Sequence, residues 1–197
     1  ECVFDEPHVE RPAGHRNRGP LQFDAGERPA VAREDDGDIV AEASKRQRQC
    51  AGHVAQPLAR MAKACGFRVE LLDDRVKFAN AERFPEADLI VVDSFEAGAA
   101  RLTLGPATFA VVVTRGHKGD AEALRAVLGK GLRFVGLLGS RPKVVHIFAA
   151  LRETGVAAEE LEAVHAPLGL EIGAQTPDEI AVSILAEMIA VRRGVDP

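Results

Sequence analysis

Three apolar runs rich in β-branched residues recur from residue 87 onward: Ala87-Asp88-Leu89-Ile90-Val91-Val92, Phe109-Ala110-Val111-Val112-Val113-Thr114 and Phe134-Val135-Gly136-Leu137-Leu138. None alternates apolar with polar in a sustained way, which is the pattern of a strand covered on both faces. Between and after them the spacing of apolar residues changes to that of amphipathic helices, over 120–128, 143–154 and 177–193. An earlier unit has the same order. Cys50-Ala51-Gly52-His53-Val54-Ala55-Gln56-Pro57-Leu58-Ala59 leads through a helical pattern to Cys65-Gly66, then to a strand-like Phe67-Arg68-Val69-Glu70-Leu71-Leu72 that ends on Asp73-Asp74-Arg75. Strand and helix in alternation predict an α/β, doubly wound parallel sheet.

The order turn, helix, strand, acidic end is that of a dinucleotide-binding βαβ unit. Backbone amides of the first turn meet a pyrophosphate, and an acidic residue about 20 positions on accepts ribose hydroxyls. Gly52 with Asp73 or Asp74 fits that distance, and His53 belongs to the same turn. Two positions depart from the glycine fingerprint, with Cys50 at the first place and Ala55 at the third. The residues that should form the preceding buried strand read Ala43-Ser44-Lys45-Arg46-Gln47-Arg48-Gln49, too polar for that task. The expected fold is therefore a Rossmann-like sheet whose first strand is disrupted or missing.

Residues 1–49 carry many charges, scattered prolines and glycines, and no sustained apolar period. Two explanations compete: a disordered polar extension, or a stretch that does not represent the native coding sequence. The second is favoured, because the loss of a needed strand coincides with the change in composition; a start at Glu1 rather than Met also favours a fragment. The expected organisation is an atypical segment over 1–49, one folded domain over 50–194 and a tail over 195–197.

In doubly wound sheets, ligands collect outside the carboxyl ends of the strands. Here those loops are cationic and glycine-rich: Thr114-Arg115-Gly116-His117-Lys118-Gly119-Asp120 after one strand and Gly139-Ser140-Arg141-Pro142-Lys143 after the next. Arg141 offers a fork for a phosphate or carboxylate, Gly139 and Ser140 offer amides at a helix start, and His117 offers a group that titrates near neutrality. The plainer expectation is that Asp120 caps its helix while Arg115, Lys118 and Lys143 are solvated. Further on, His165-Ala166-Pro167-Leu168-Gly169-Leu170-Glu171-Ile172-Gly173-Ala174-Gln175-Thr176-Pro177-Asp178-Glu179-Ile180 runs into the last helix. Thr176 and Glu179 form a capping box with Pro177 at the first helical position, and a helix mouth of this kind suits an anion.

Net charge is −5 over 197 residues with no long basic run, which argues against a nucleic-acid partner. No apolar run reaches the roughly 18 residues of a membrane span and no signal segment opens the chain, so a cytoplasmic protein is expected. Three cysteines, Cys2, Cys50 and Cys65, form neither a paired framework nor a close metal spacing, and no structural metal is expected.

Taken as a set, Ala51-Gly52-His53-Val54-Ala55, Asp73-Asp74-Arg75, Arg83-Phe84-Pro85, Thr114-Arg115-Gly116-His117 with Asp120, Gly136-Leu137-Leu138-Gly139-Ser140-Arg141 with Lys143, and His165-Ala166-Pro167 through Glu179-Ile180-Ala181 closely resemble the XdhC/CoxI family of xanthine dehydrogenase accessory proteins. The resemblance covers the C-terminal Rossmann-like domain of that family, from about Cys50 to Gly194. It implies a maturation role without turnover of a metabolite: transient binding of the molybdenum cofactor (molybdopterin), its protection during sulfuration, and delivery to a molybdenum hydroxylase of the xanthine dehydrogenase type. A cysteine desulfurase is the implied sulfur donor. Two departures from the family pattern are Cys50 in place of a turn glycine and Pro142 where a second basic residue is usual.

On this reading Gly52 and His53 line the first turn, Asp73 or Asp74 meets a ribose-like hydroxyl, and Gly139, Ser140 and Arg141 meet phosphate. Arg115, Gly116, His117 and His165 face the pterin or metal end, and Gly173 with Thr176 forms the last helix mouth. Cys50, at a helix start, would favour a thiolate suited to sulfur transfer, whereas Cys65 reads as a small buried residue. Two rivals use the same turn: an NAD(P)-dependent oxidoreductase, for which no substrate domain or catalytic constellation is evident, and a nucleotide-sensing regulatory module. The apolar last helix and an open sheet edge suit a homodimer.

Overall fold

The structure is a computed structural model that describes residues 2–5, 51–114 and 117–197. Its elements, in chain order, are β1 (Cys2–Asp5), α1 (Ala51–Ala64), β2 (Arg68–Asp73), β3 (Leu89–Val92), α2 (Phe95–Ala99), β4 (Phe109–Val112), α3 (His117–Val127), β5 (Phe134–Leu137), α4 (Arg141–Glu153), α5 (Ala158–Glu162) and α6 (Pro177–Arg193). They form one five-stranded sheet in the order β3-β2-β1-β4-β5, the order of a Rossmann mononucleotide half with its neighbour strands. Each apolar run of the sequence became a strand because both its faces are covered. Along β4, Phe109 and Val111 join a core with α1 and α6, while Ala110 and Val112 join a second core with α2, α3 and α4. Val54, Leu58 and Ala62, spaced by one helical turn, are the buried stripe of α1, and Ile184 and Met188 continue that core from α6.

The sheet departs from the expected all-parallel form at its centre. β2 pairs in parallel with β3, and β4 with β5, but β1 runs antiparallel to both β2 and β4, with Cys2 opposite Leu71 and Val111. The physical reason lies in the slot itself. Without a strand between them, β2 and β4 would each leave a row of buried backbone donors and acceptors unpaired. The polar stretch before α1 is unsuited to burial there; the apolar Cys2-Val3-Phe4 takes the place, and Cys2 is fully buried. Residues 6–50, including Cys50 and the rest of the proposed extension, lie outside the described residues.

Candidate functional site

The four parallel strands bring their carboxyl ends to one edge, where the loops singled out in the sequence gather. At the end of β2, Asp73 is closed on a neighbour: its Oδ1 accepts from the Arg75 backbone N–H (2.9 Å) and Nε (2.8 Å), and its Oδ2 from Arg75 Nη2 (2.9 Å). Burial is the largest single influence on this carboxyl and pushes its pKa up, but the Arg75 hydrogen bonds and charge together outweigh it and hold Asp73 below the usual carboxylate range. The Arg75 guanidinium lies 4.2 Å from the Phe78 ring centroid and that of Arg83 lies 5.5 Å from it. Arg83 is tied to α1 through Gln56, whose Nε2 donates to Arg83 O (2.9 Å) while its Oε1 accepts from Arg83 Nη2 (3.2 Å). Both oxygens of Asp73, one of the two expected ribose acceptors, thus accept from Arg75. Asp74 is exposed, 3.3 Å from Arg75 Nε. Gly52 and His53 fall in the first turn of α1, and His53 is exposed.

At the ends of β4 and β5 the sequence understated two residues. Thr114 Oγ1 donates to Asp120 Oδ1 at 2.7 Å, and Lys143 Nζ sits 2.7 Å from Asp120 Oδ2 and 3.2 Å from Leu138 O. Asp120 is fully buried and Lys143 is 20% exposed. Asp120 is thus no surface cap and Lys143 is not solvated; together with Thr114 they tie the β4–α3 junction to the β5–α4 loop. Arg115 and Gly116 lie outside the described residues, and His117 opens α3. Gly139 and Ser140 stand at the mouth of α4, where Ser140 is the N-cap, makes no side-chain capping bond, and is followed by no acidic residue in the first turn. Arg141 does not reach into the loop cluster. Its Nη2 meets Glu171 Oε1 at 3.1 Å with both side chains largely exposed, an arrangement that contributes little and yields readily to a competing anion.

The mouth of α6 is differently occupied. Thr176 Oγ1 accepts from Glu179 N (3.2 Å), and Glu179 Oε2 accepts from the backbone N–H groups of Thr176 and Gln175, each at 2.8 Å. The capping box expected from the sequence is present, and the backbone N–H groups of Thr176 and Gln175 hold the Glu179 carboxyl below its ordinary range. The chain's own carboxylate thus occupies the place expected for an external anion beside Thr176. Gly173 supplies a turn at φ 75° ahead of it.

His165 lies beside β5. It bridges Gly136 on the outer side of β5, with its N–H on Val135 O (2.9 Å) and its carbonyl accepting from Leu137 N (3.0 Å). Its ring centroid lies 4.3 Å from that of Phe134, in the layer beneath α6. Nδ1 is 2.7 Å from Glu187 Oε1, and Glu187 Oε2 accepts from Gly169 N at 2.6 Å. Glu187, to which no sequence motif points, therefore staples this segment to α6.

A Rossmann-type sheet with cationic, glycine-bearing loops at its carboxyl edge defines the class: an α/β domain suited to an anionic ligand. The model of the XdhC Rossmann domain matches residues 50–188, and the chain belongs to that family. Relatives include YqeB of Escherichia coli (strain K12), 39% identical over 143 residues that cover 72% of this chain and 26% of that protein. A probable xanthine dehydrogenase component of Bacillus subtilis (strain 168) is 31% identical over 139 residues, 71% of this chain and 40% of that protein. A crystal structure of a xanthine dehydrogenase from Bacillus halodurans superposes with a TM-score of 0.64 at 31% identity, over 73% of this chain and 42% of that one. The chain thus spans about a quarter to two fifths of the length of these relatives. Among the described residues no helix is long and apolar enough to cross a membrane, and no three potential metal ligands cluster.

Proposed function

We propose that this domain handles the molybdenum cofactor for a xanthine dehydrogenase-type molybdenum hydroxylase, holding it transiently while a sulfur donor such as a cysteine desulfurase completes it. Membership of the XdhC family and relatives that bear xanthine dehydrogenase names support an accessory role. The observation that carries the cofactor is the mouth of α4: an N-cap serine with no capping bond of its own, no acid in the first turn, and the Lys143 ammonium folded beneath the turn. A phosphate such as that of molybdopterin fits a mouth of this kind. Gly139, Ser140 and Lys143 would hold that phosphate, and Gly52 and His53 at the start of α1 are the further candidates. The cofactor, when bound, supplies the metal centre with which the partner enzyme hydroxylates its substrate.

Ser140→Asp is the sharpest test. An aspartate caps a helix as well as serine does, so the fold is retained, but its carboxylate fills the mouth. Wild-type protein should co-purify with molybdenum and pterin and the variant should not, at equal thermal stability. Equal retention by both, or none by the wild type, overturns the assignment.

A further inference from the structure

The buried Asp120 has no task in the site as the sequence defined it, yet its surroundings give it one. Lys143 is the third residue of α4, and its stem turns back across Gly139: a Cβ at that position would lie 2.9 Å from Lys143 Cδ. The Lys143 ammonium donates to Leu138 O and stands 2.7 Å from Asp120 Oδ2 as an ion pair, and that buried oxygen accepts no hydrogen bond among the described residues. Drawing Lys143 out towards a ligand would leave Asp120 charged and unpaired in the interior, which costs more than one new phosphate contact returns. The cation therefore stays where it is.

We infer that Asp120 is a positioning residue, which keeps the Lys143 ammonium fixed beneath the Gly139-Ser140 turn as the cation facing a phosphate-class anion at the mouth of α4. The inference rests on the reading of that mouth as an anion site. Thr114 completes the support by donating to the second Asp120 oxygen. Gly119 makes room for it, since a Cβ there would stand 3.2 Å from Thr114 Oγ1. Other charged or titratable residues of the same helix turn are Arg141, paired with Glu171, and His146.

The test uses the full chain and inorganic pyrophosphate as probe, titrated calorimetrically at about pH 7. Lys143→Met should bind about tenfold or more weakly than wild type, the loss of one charged hydrogen bond. Asp120→Asn, which removes the carboxylate that holds the ammonium beneath the turn, should weaken binding likewise, and Asp120→Glu, which keeps a carboxylate, should restore part of it; a merely structural Asp120 would leave the affinity of the folded Asp120→Asn protein unchanged. Should Asp120→Asn fail to fold, Lys143→Gln against Lys143→Arg compares a neutral with a charged side chain at the same place. Equal affinity of wild type and Asp120→Asn, unchanged binding by Lys143→Met, or no binding by wild type each overturn the inference. Pyrophosphate binding without cofactor retention overturns the molybdenum reading alone; cofactor retention with insensitivity to all these variants overturns the role of Asp120 alone.

Discussion

Glu187→Ala is expected to be among the most damaging single changes on α6. The carboxylate is 9% exposed and serves two donors, His165 Nδ1 at 2.7 Å and Gly169 N at 2.6 Å. A hydrogen bond to a charged group contributes about 1.5–3 kcal/mol, and a donor left unsatisfied in the interior costs a comparable amount. The two bonds share one carboxylate and do not add in full, so about 3–4 kcal/mol is expected. For a domain of this size that lowers Tm by roughly 10 °C. Glu187→Gln keeps an acceptor for Gly169 N and places an N–H opposite Nδ1, which the imidazole accepts by moving its proton to Nε2. That variant should lose only about 1–2 kcal/mol. Urea denaturation followed by circular dichroism measures both. A loss below about 1 kcal/mol for the alanine variant, or equal losses for alanine and glutamine, would refute the argument that the carboxylate acts through these two hydrogen bonds.

Two further outcomes follow from local geometry. Thr176→Ala removes the side-chain acceptor of the α6 capping box and should cost about 1 kcal/mol, read from the urea midpoint. Asp73 and Asp88 both have carboxyl pKa values below the ordinary range: burial acts upward on each, and Arg75 for Asp73, or Lys63 and the Val69 N–H for Asp88, overcome it. A depressed carboxyl binds its proton more weakly in the folded chain, so the stability it contributes is complete at neutral pH. That contribution is lost as pH falls from about 4 through the lower folded-state values. Asp88→Asn should therefore flatten the acid limb of a stability profile measured from pH 7 to pH 3.

What the sequence made legible was whatever acts within a few residues. The four parallel strands and helices α1, α3, α4 and α6 followed from apolar period, whereas the five-residue α2 and α5 did not, and Thr176 with Glu179 read correctly as a capping box because its partners are three residues apart. The consequence for binding was harder to see, since the same box that starts α6 also fills its mouth. Asp120 and Lys143 are 23 positions apart, and His165 and Glu187 are 22. Only the packing of α3 on α4 and of the His165 segment on α6 brings them together. The pairing of Asp73 with Arg75 was not legible for a different reason: the partner is only two residues away, but which neighbour an aspartate at a strand end prefers is set by a turn that the strand pattern does not report. β1 escaped notice because four residues carry no measurable period, and its antiparallel direction was dictated by the slot between β2 and β4 rather than by its own sequence.

Gly139 illustrates how a residue without a side chain can govern charge. The Lys143 stem crosses the space where a Cβ would stand, 2.9 Å from Cδ and 3.4 Å from Cγ, while its far end rests at Asp120 and Leu138. A methyl group at position 139 would oblige that stem to shift. The missing atoms of that glycine are therefore part of the electrostatics of the loop, and an alanine there would alter the charge distribution of the site with no change in the number of ionisable groups.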